Sequence, residues 1–272
     1  MKIFTLNGSK AALNIFAGLC VFTLIYFGFI HNSGTVAVIG EQAETSYLAI
    51  VINGFGFGDG GDGTREFMYM NIPFTGAVVP GGTYSREEAQ RLLANGNEVV
   101  IHMPMEAVNM RSVRLPEINI MDSHTKAEAR AALLKAIDQI HGAVGISPYM
   151  GSRVMENREL VTTILSTAVE HGLYFVDAQP AGGAAPELAK DIGVNIFTPD
   201  ILIDNTRDIR RIERNLRRAA EIAGRNGFAV AIGHVGPQGG RATAQAIQNM
   251  QDELTEKGIA FITVSELMGI LK

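Results

Sequence analysis

No cysteine follows Cys20 and no acidic residue precedes Glu41 in this 272-residue chain. The first absence excludes disulfides and thiolate metal sites from everything downstream, so the fold there rests on packing. The second divides the chain by charge. From Glu41 onward 28 acidic residues stand against 21 basic ones, a net of about −7, which speaks against a nucleic-acid partner. Phosphate-loop chemistry is missing as well. The stretch "GFGFGDGGDGT" (54–64) lacks dinucleotide-binding spacing and no Gly-Lys-Ser/Thr occurs, so it reads as a flexible loop. "GHVGPQGGRAT" (233–243) reads as a turn that leads into a helix.

What the N-terminus does hold is an uncharged run from Ala11 to Ile30, long enough to cross a bilayer as a helix. Lys2 and Lys10 precede it and no charge follows closely, which predicts a cytosolic N-terminus and an extracytoplasmic remainder. An uncleaved signal anchor over 1–30 is the expectation. Secretion after cleavage is the alternative, because small residues stand at Ala37 and Gly40. Residues 31–46 are small and polar and read as a linker, with a single domain over 47–272.

Within that domain, strand-like and helix-like runs alternate. Candidate strands cover 47–53, 74–79, 97–103, 142–147, 173–178, 195–204, 228–234 and 260–265, and candidate helices cover 85–95, 126–141, 158–171, 186–192, 207–225 and 243–257. Glycines 96, 142, 172, 193, 227 and 258 follow the helices, as left-handed caps require. The strand runs are continuously apolar, which indicates burial on both faces and a parallel sheet covered by helices. The expected fold is α/β, a distorted (β/α) barrel of about seven to eight parallel strands after a transmembrane helix; a doubly wound open sheet is the other arrangement these runs allow.

Barrels of this kind carry their reactive groups at the C-terminal ends of the strands. The polar residues falling there are Asn53, His102 and Glu106, Tyr149 with Ser152 and Arg153, Asp177 and Gln179, Asp204 and Asn205, and His234. His102 and His234, at the ends of two different strands, are candidates for half of a metal site, for which zinc is the expected ion. Pro104 is expected to stop the strand that carries His102. N-capping of a helix opening near Thr206 accounts for either Asp204 or Asn205, whereas Asp177 has no helix start directly after it and is a candidate pocket residue, a general base that could orient a water or a histidine. Charges along the helices, Lys190 and Arg210 among them, read as a solvated outer surface.

Taken in order, "HMPME" (102–106), "YMGSR" (149–153), "LYFVDA" (173–178), "DILIDN" (200–205), "AIGHVGP" (231–237) and "FITVSEL" (261–267) resemble the divergent polysaccharide deacetylases, relatives of the carbohydrate esterases. The resemblance covers roughly 47–268 and implies a distorted barrel acting on N-acetyl groups of a glycan with a divalent metal, zinc by expectation. It also implies His102 as metal ligand, Asp177 or Glu106 assisting a water, and His234 as general acid. Asn53, Glu106, Tyr149, Ser152, Arg153 and Asp204 are the expected glycan-binding residues. The family pattern carries two adjacent aspartates after the first strand and a histidine before Met-Gly-Ser. Here Asn53 and Gly54 replace the aspartates and Tyr149 replaces the histidine. Two expectations therefore stand side by side: an extracytoplasmic deacetylase-like hydrolase with a rearranged site, and a non-catalytic glycan-binding or scaffolding protein of the cell envelope.

Overall fold

Nine strands and eight helices are arranged in sequence order in the computed structural model, which describes residues 45–57, 62–110, 114–178 and 183–271. The strands are β1 (Ser46–Phe55), β2 (Thr75–Val78), β3 (Glu98–Met105), β4 (Gly145–Met150), β5 (Tyr174–Val176), β6 (Ile196–Phe197), β7 (Ile201–Leu202), β8 (Phe228–His234) and β9 (Ile259–Ile262). The helices are α1 (Thr64–Met68), α2 (Ser85–Ala94), α3 (Lys126–Gln139), α4 (Arg158–Glu170), α5 (Ala185–Ile192), α6 (Ile209–Asn226), α7 (Arg241–Glu256) and α8 (Val264–Ile270).

All the strand pairs are parallel, in the order β6-β5-β4-β3-β2-β1-β8-β7. The sheet curls, and β6 and β7 do not pair, so the barrel is open along one seam. One edge of β1 is shared in series: β9 pairs with Ser46–Ala49 and β2 with the stretch from Val51.

Period-two alternation sorts the side chains into two cores. Leu48, Ile50 and Ile52 of β1, with Val99, Ile101 and Met103 of β3, belong to the larger core under the helices. Ala49, Val51, Ala77, Val100, Val176, Val230 and Ile232 fill the inside of the sheet. Val264 and Leu267 of α8 belong to the same inner core and close its lower end. Beside them the Glu98 carboxylate accepts hydrogen bonds from Tyr174 Oη at 2.6 Å, Thr75 Oγ1 at 2.9 Å and the Ser265 backbone N–H at 3.2 Å. Burial and the neighbouring Glu98 push the Tyr174 phenol well above its ordinary range.

Several expectations are corrected. Pro104 does not end β3, which continues to Met105 and pairs Pro104 with Tyr149. Pairing with β2 has already stopped at Ile101, so the missing proline N–H is not needed on that side. The run 195–204 is two short strands, because Pro199 interrupts it. The strand expected over 260–265 gives way at Thr263, which caps α8 through a capping box with Glu266. Neither Asp204 nor Asn205 caps α6; Asp208 does, through Arg211 N. The loop expected over 54–64 instead contains the end of β1 and the first residue of α1. The six glycines expected to end helices all have positive φ, from 68° to 86°. The expected membrane span at 11–30 lies outside the described residues, among which no helix is long and apolar enough to cross a membrane.

Candidate functional site

The alternation that fills the barrel with small aliphatic side chains also positions the polar groups above them. Two residues beyond Val51, Val100 and Ile232 come Asn53, His102 and His234, so all three continue the inward-facing rows. Ser147 and Tyr149 of β4 lie beside His102 and Pro104 in register and share that face. Here the apolar interior ends and a cleft of about 850 Å³ opens, lined by Asn53, His102, Tyr149, Arg207, His234 and Gln238 among others. A smaller hollow of about 290 Å³ adjoins it over the open seam; Asp177, Thr198 and Asp200 line it together with Asn53 and His234.

His102 is 4 % exposed, and its ring meets that of Tyr149 edge-on, with centroids 5.2 Å apart and planes at 87°. Its pKa is held down at about 3, first by burial and then by the neighbouring His234, while a hydrogen bond with the Pro148 backbone pulls the other way. The ring is therefore neutral at physiological pH. Its Nδ1, Asn53 Oδ1 and Ser147 Oγ are buried without a hydrogen-bond partner among the described residues. Left unpaired, each such atom costs about 1–3 kcal/mol.

His234 is differently held. Its Nδ1 lies 2.8 Å from Asp204 Oδ1, while its backbone N–H and the Thr243 hydroxyl donate to Asp204 Oδ2 at 2.6 and 2.8 Å. Asp204 is 1 % exposed and cannot itself touch a ligand; it fixes the orientation of His234 and leaves the other ring nitrogen for the cleft. Gly239 allows this arrangement. A Cβ there would come within 2.1 Å of the Asp204 carboxylate.

The expected site residues thus separate. Asn53, His102, Tyr149, Asp177 and His234 line the two hollows, and Asp204 stands behind His234. Glu106, Ser152 and Arg153 line neither. Glu106 pairs with Arg153 Nε at 3.2 Å and accepts from Asp122 N, and Ser152 Oγ accepts from Val108 N. They fasten the loop after β3 to the loop after β4. Gln179 lies outside the described residues.

Sequence reasoning missed the rim. Arg207, taken as the first residue of a solvated helix, precedes α6 and donates to Asp62 Oδ2 at 2.5 Å, Pro237 O at 2.9 Å and Gly236 O at 3.0 Å. The Asp208 cap signal, read correctly, would have placed Arg207 outside the helix. Asp62, 145 positions away, gives no local sign of this partnership.

A divalent metal does not fit these residues. Gly54 offers no ligand atom, and its φ of 99° is one that an aspartate adopts only under strain. Tyr149 makes a T-shaped ring contact with His102 where the resemblance implies a second imidazole. Among the described residues no group of three His, Cys, Asp or Glu side chains could hold an ion.

The family model for divergent polysaccharide deacetylases matches residues 50–268. The Escherichia coli protein YibQ is 28% identical over 209 residues, covering 76% of this chain and 64% of that protein, so the chain spans just under two thirds of that relative's length. A Haemophilus influenzae protein is 26% identical over 215 residues, 79% of this chain and 75% of its own. Among solved structures, protein ATU2773 of Agrobacterium tumefaciens C58 superimposes with a TM-score of 0.74 at 20% identity, covering 83% of this chain and 90% of that one. The peptidoglycan deacetylase PdaC of Bacillus subtilis does so with a TM-score of 0.50 at 15% identity, covering 84% and 93%. With a match from β1 to α8 and a barrel of the same kind, the chain belongs to the divergent polysaccharide deacetylase family.

Proposed function

We propose that this protein binds a cell-envelope glycan in the cleft and does so without a metal. The observation that carries the reading is the pairing of a retained cleft with replaced ligand positions: Asn53, His102, Tyr149 and His234 still line it, while position 54 is a glycine and position 149 a phenol. Hydrogen-bonding groups beside an aromatic ring suit sugar hydroxyls and amides. Phe57, 52 % exposed at the same cleft, adds a second apolar face for a sugar ring. The family supplies the ligand class, a polysaccharide.

The test is a calorimetric titration of the purified chain with N-acetylglucosamine oligosaccharides in the presence of a chelator. Saturable binding that survives the chelator and weakens in His102→Ala supports the reading, and binding that appears only with added metal contradicts it. A second reading, hydrolysis of an N-acetyl group, draws on the Asp204–His234 pair, which resembles an oriented acid–base group. Sustained acetate release that disappears in His234→Ala would favour it. For location, the uncharged run from Ala11 to Ile30 behind Lys2 and Lys10 supports an anchored domain outside the cytoplasm. A reporter fused after Lys272 that is active only in the cytoplasm would contradict that placement.

A further inference from the structure

Seven of the arginines in this acidic chain fall between residues 207 and 225. Arg217 is bound to Glu253 of α7 at 2.7 Å, and Arg207 is tied to Asp62 at the cleft rim. The side chains of Arg210, Arg211, Arg214, Arg218 and Arg225 are exposed and make no hydrogen bond or ion pair among the described residues. With successive residues turned by about 100°, Arg211, Arg214, Arg218 and Arg225 fall within a sector of about 60°. The buried residues Ile212, Leu216, Ala219 and Ala223 define a different side of α6. Of the two acids of the helix, Glu213 accepts from Asn249, and Glu221 alone adjoins the arginine row.

Like charges three and four residues apart weaken a helix unless a counter-charge relieves them. An isolated surface helix gains nothing from this row. The row also has a direction. It begins at the end of α6 that follows Arg207, a lining residue of the cleft, and descends the outside of the barrel, advancing about 5.4 Å per turn. A polymer leaving the cleft at Arg207 meets one arginine after another.

We infer that the exposed arginine row of α6 is an extended binding surface for an anionic glycan, of the uronic-acid class, whose chain continues out of the cleft past Arg207. The inference rests on the glycan-binding reading of the cleft and adds the charge of the polymer to it. Recognition is by the repeated carboxylates, each meeting a guanidinium in planar, two-point fashion.

The full chain is tested for binding to polygalacturonate, to neutral N-acetylglucosamine oligosaccharides and to vesicles containing phosphatidylglycerol. One variant carries Arg211→Glu, Arg214→Glu and Arg218→Glu; a control carries Arg86→Glu, Lys135→Glu and Lys190→Glu, exposed on other helices. Circular dichroism of both variants matching that of the native chain establishes that both are folded. The expected result is polygalacturonate binding at least tenfold weaker in the first variant, unchanged in the control, steeply reduced by salt, and neutral oligosaccharide binding equal in all three. Equal weakening in both variants, or no binding by the native chain, overturns the inference. Binding to the vesicles but not to polygalacturonate also overturns it, by assigning the row to lipid headgroups. Loss of neutral oligosaccharide binding by the native chain, with polygalacturonate binding intact, counts against the cleft reading and not against the arginine row.

Discussion

His234 and His102 face the same cleft but answer to opposite physics. His234 is anchored by a buried carboxylate, and Asp204 receives three hydrogen bonds in doing so. Asp204→Ala leaves those donors without an acceptor, and we expect a loss of about 2–4 kcal/mol in unfolding free energy, read as a lowered urea midpoint with unchanged slope. A loss within 0.5 kcal/mol would show that the network carries little stability. His102 has no such partner and resists protonation. In the unfolded chain it titrates near its ordinary value of 6.5, in the folded chain at about 3. Between those two values the unfolded state holds more protons, so stability falls as pH drops from 6.5 toward 3 and is unaffected by this group above 6.5. His102→Phe should remove about 1.4 kcal/mol per pH unit of that slope, measured by urea unfolding at pH 4.5, 5.5 and 7. Slopes identical in the variant and the native chain would mean that the ring is solvated.

At the level of elements, the order of strands and helices was legible because it depends on local signals. Continuous apolar runs gave the strands, and glycines after amphipathic stretches gave the helix ends. The misplaced boundaries have specific causes. Pro104 disrupts a strand only where its N–H is needed, and nothing in the sequence tells that β2 has already stopped pairing. The strand before α8 was overextended because Thr263 and Val264 favour strands in isolation, while the capping box with Glu266 decides otherwise. The inward row of Asn53, His102 and His234 could be read from alternation. The Arg207–Asp62 contact could not, since it joins loops far apart in sequence. α8 offers a test of how the lower end of the barrel is held. Glu98 is bonded to Tyr174, Thr75 and the first turn of this helix. Glu98→Ala should cost about 2–4 kcal/mol and increase amide exchange in 263–271 more than in α2 or α4. Uniform exchange across the chain would contradict a local seat for α8.

For the whole molecule, a parallel barrel opened between β6 and β7 gathers residues from five strand ends over an apolar interior, and the family match spans that entire arrangement. Fold and family do not settle chemistry, because chemistry depends on a few atoms. At position 54 those atoms are absent, and the backbone there has taken a conformation suited to glycine. The barrel has a cleft and an oriented histidine, and the proposed glycan binding rests on hydrogen bonds and aromatic contact. The measurement that tests this most directly is a calorimetric titration of the purified chain with zinc, alongside His102→Ala. No stoichiometric binding is expected in either. Tight one-to-one binding by the native chain that is lost in His102→Ala would contradict it and show that the cleft assembles a metal centre from His102 and residues outside the two replaced ligand positions.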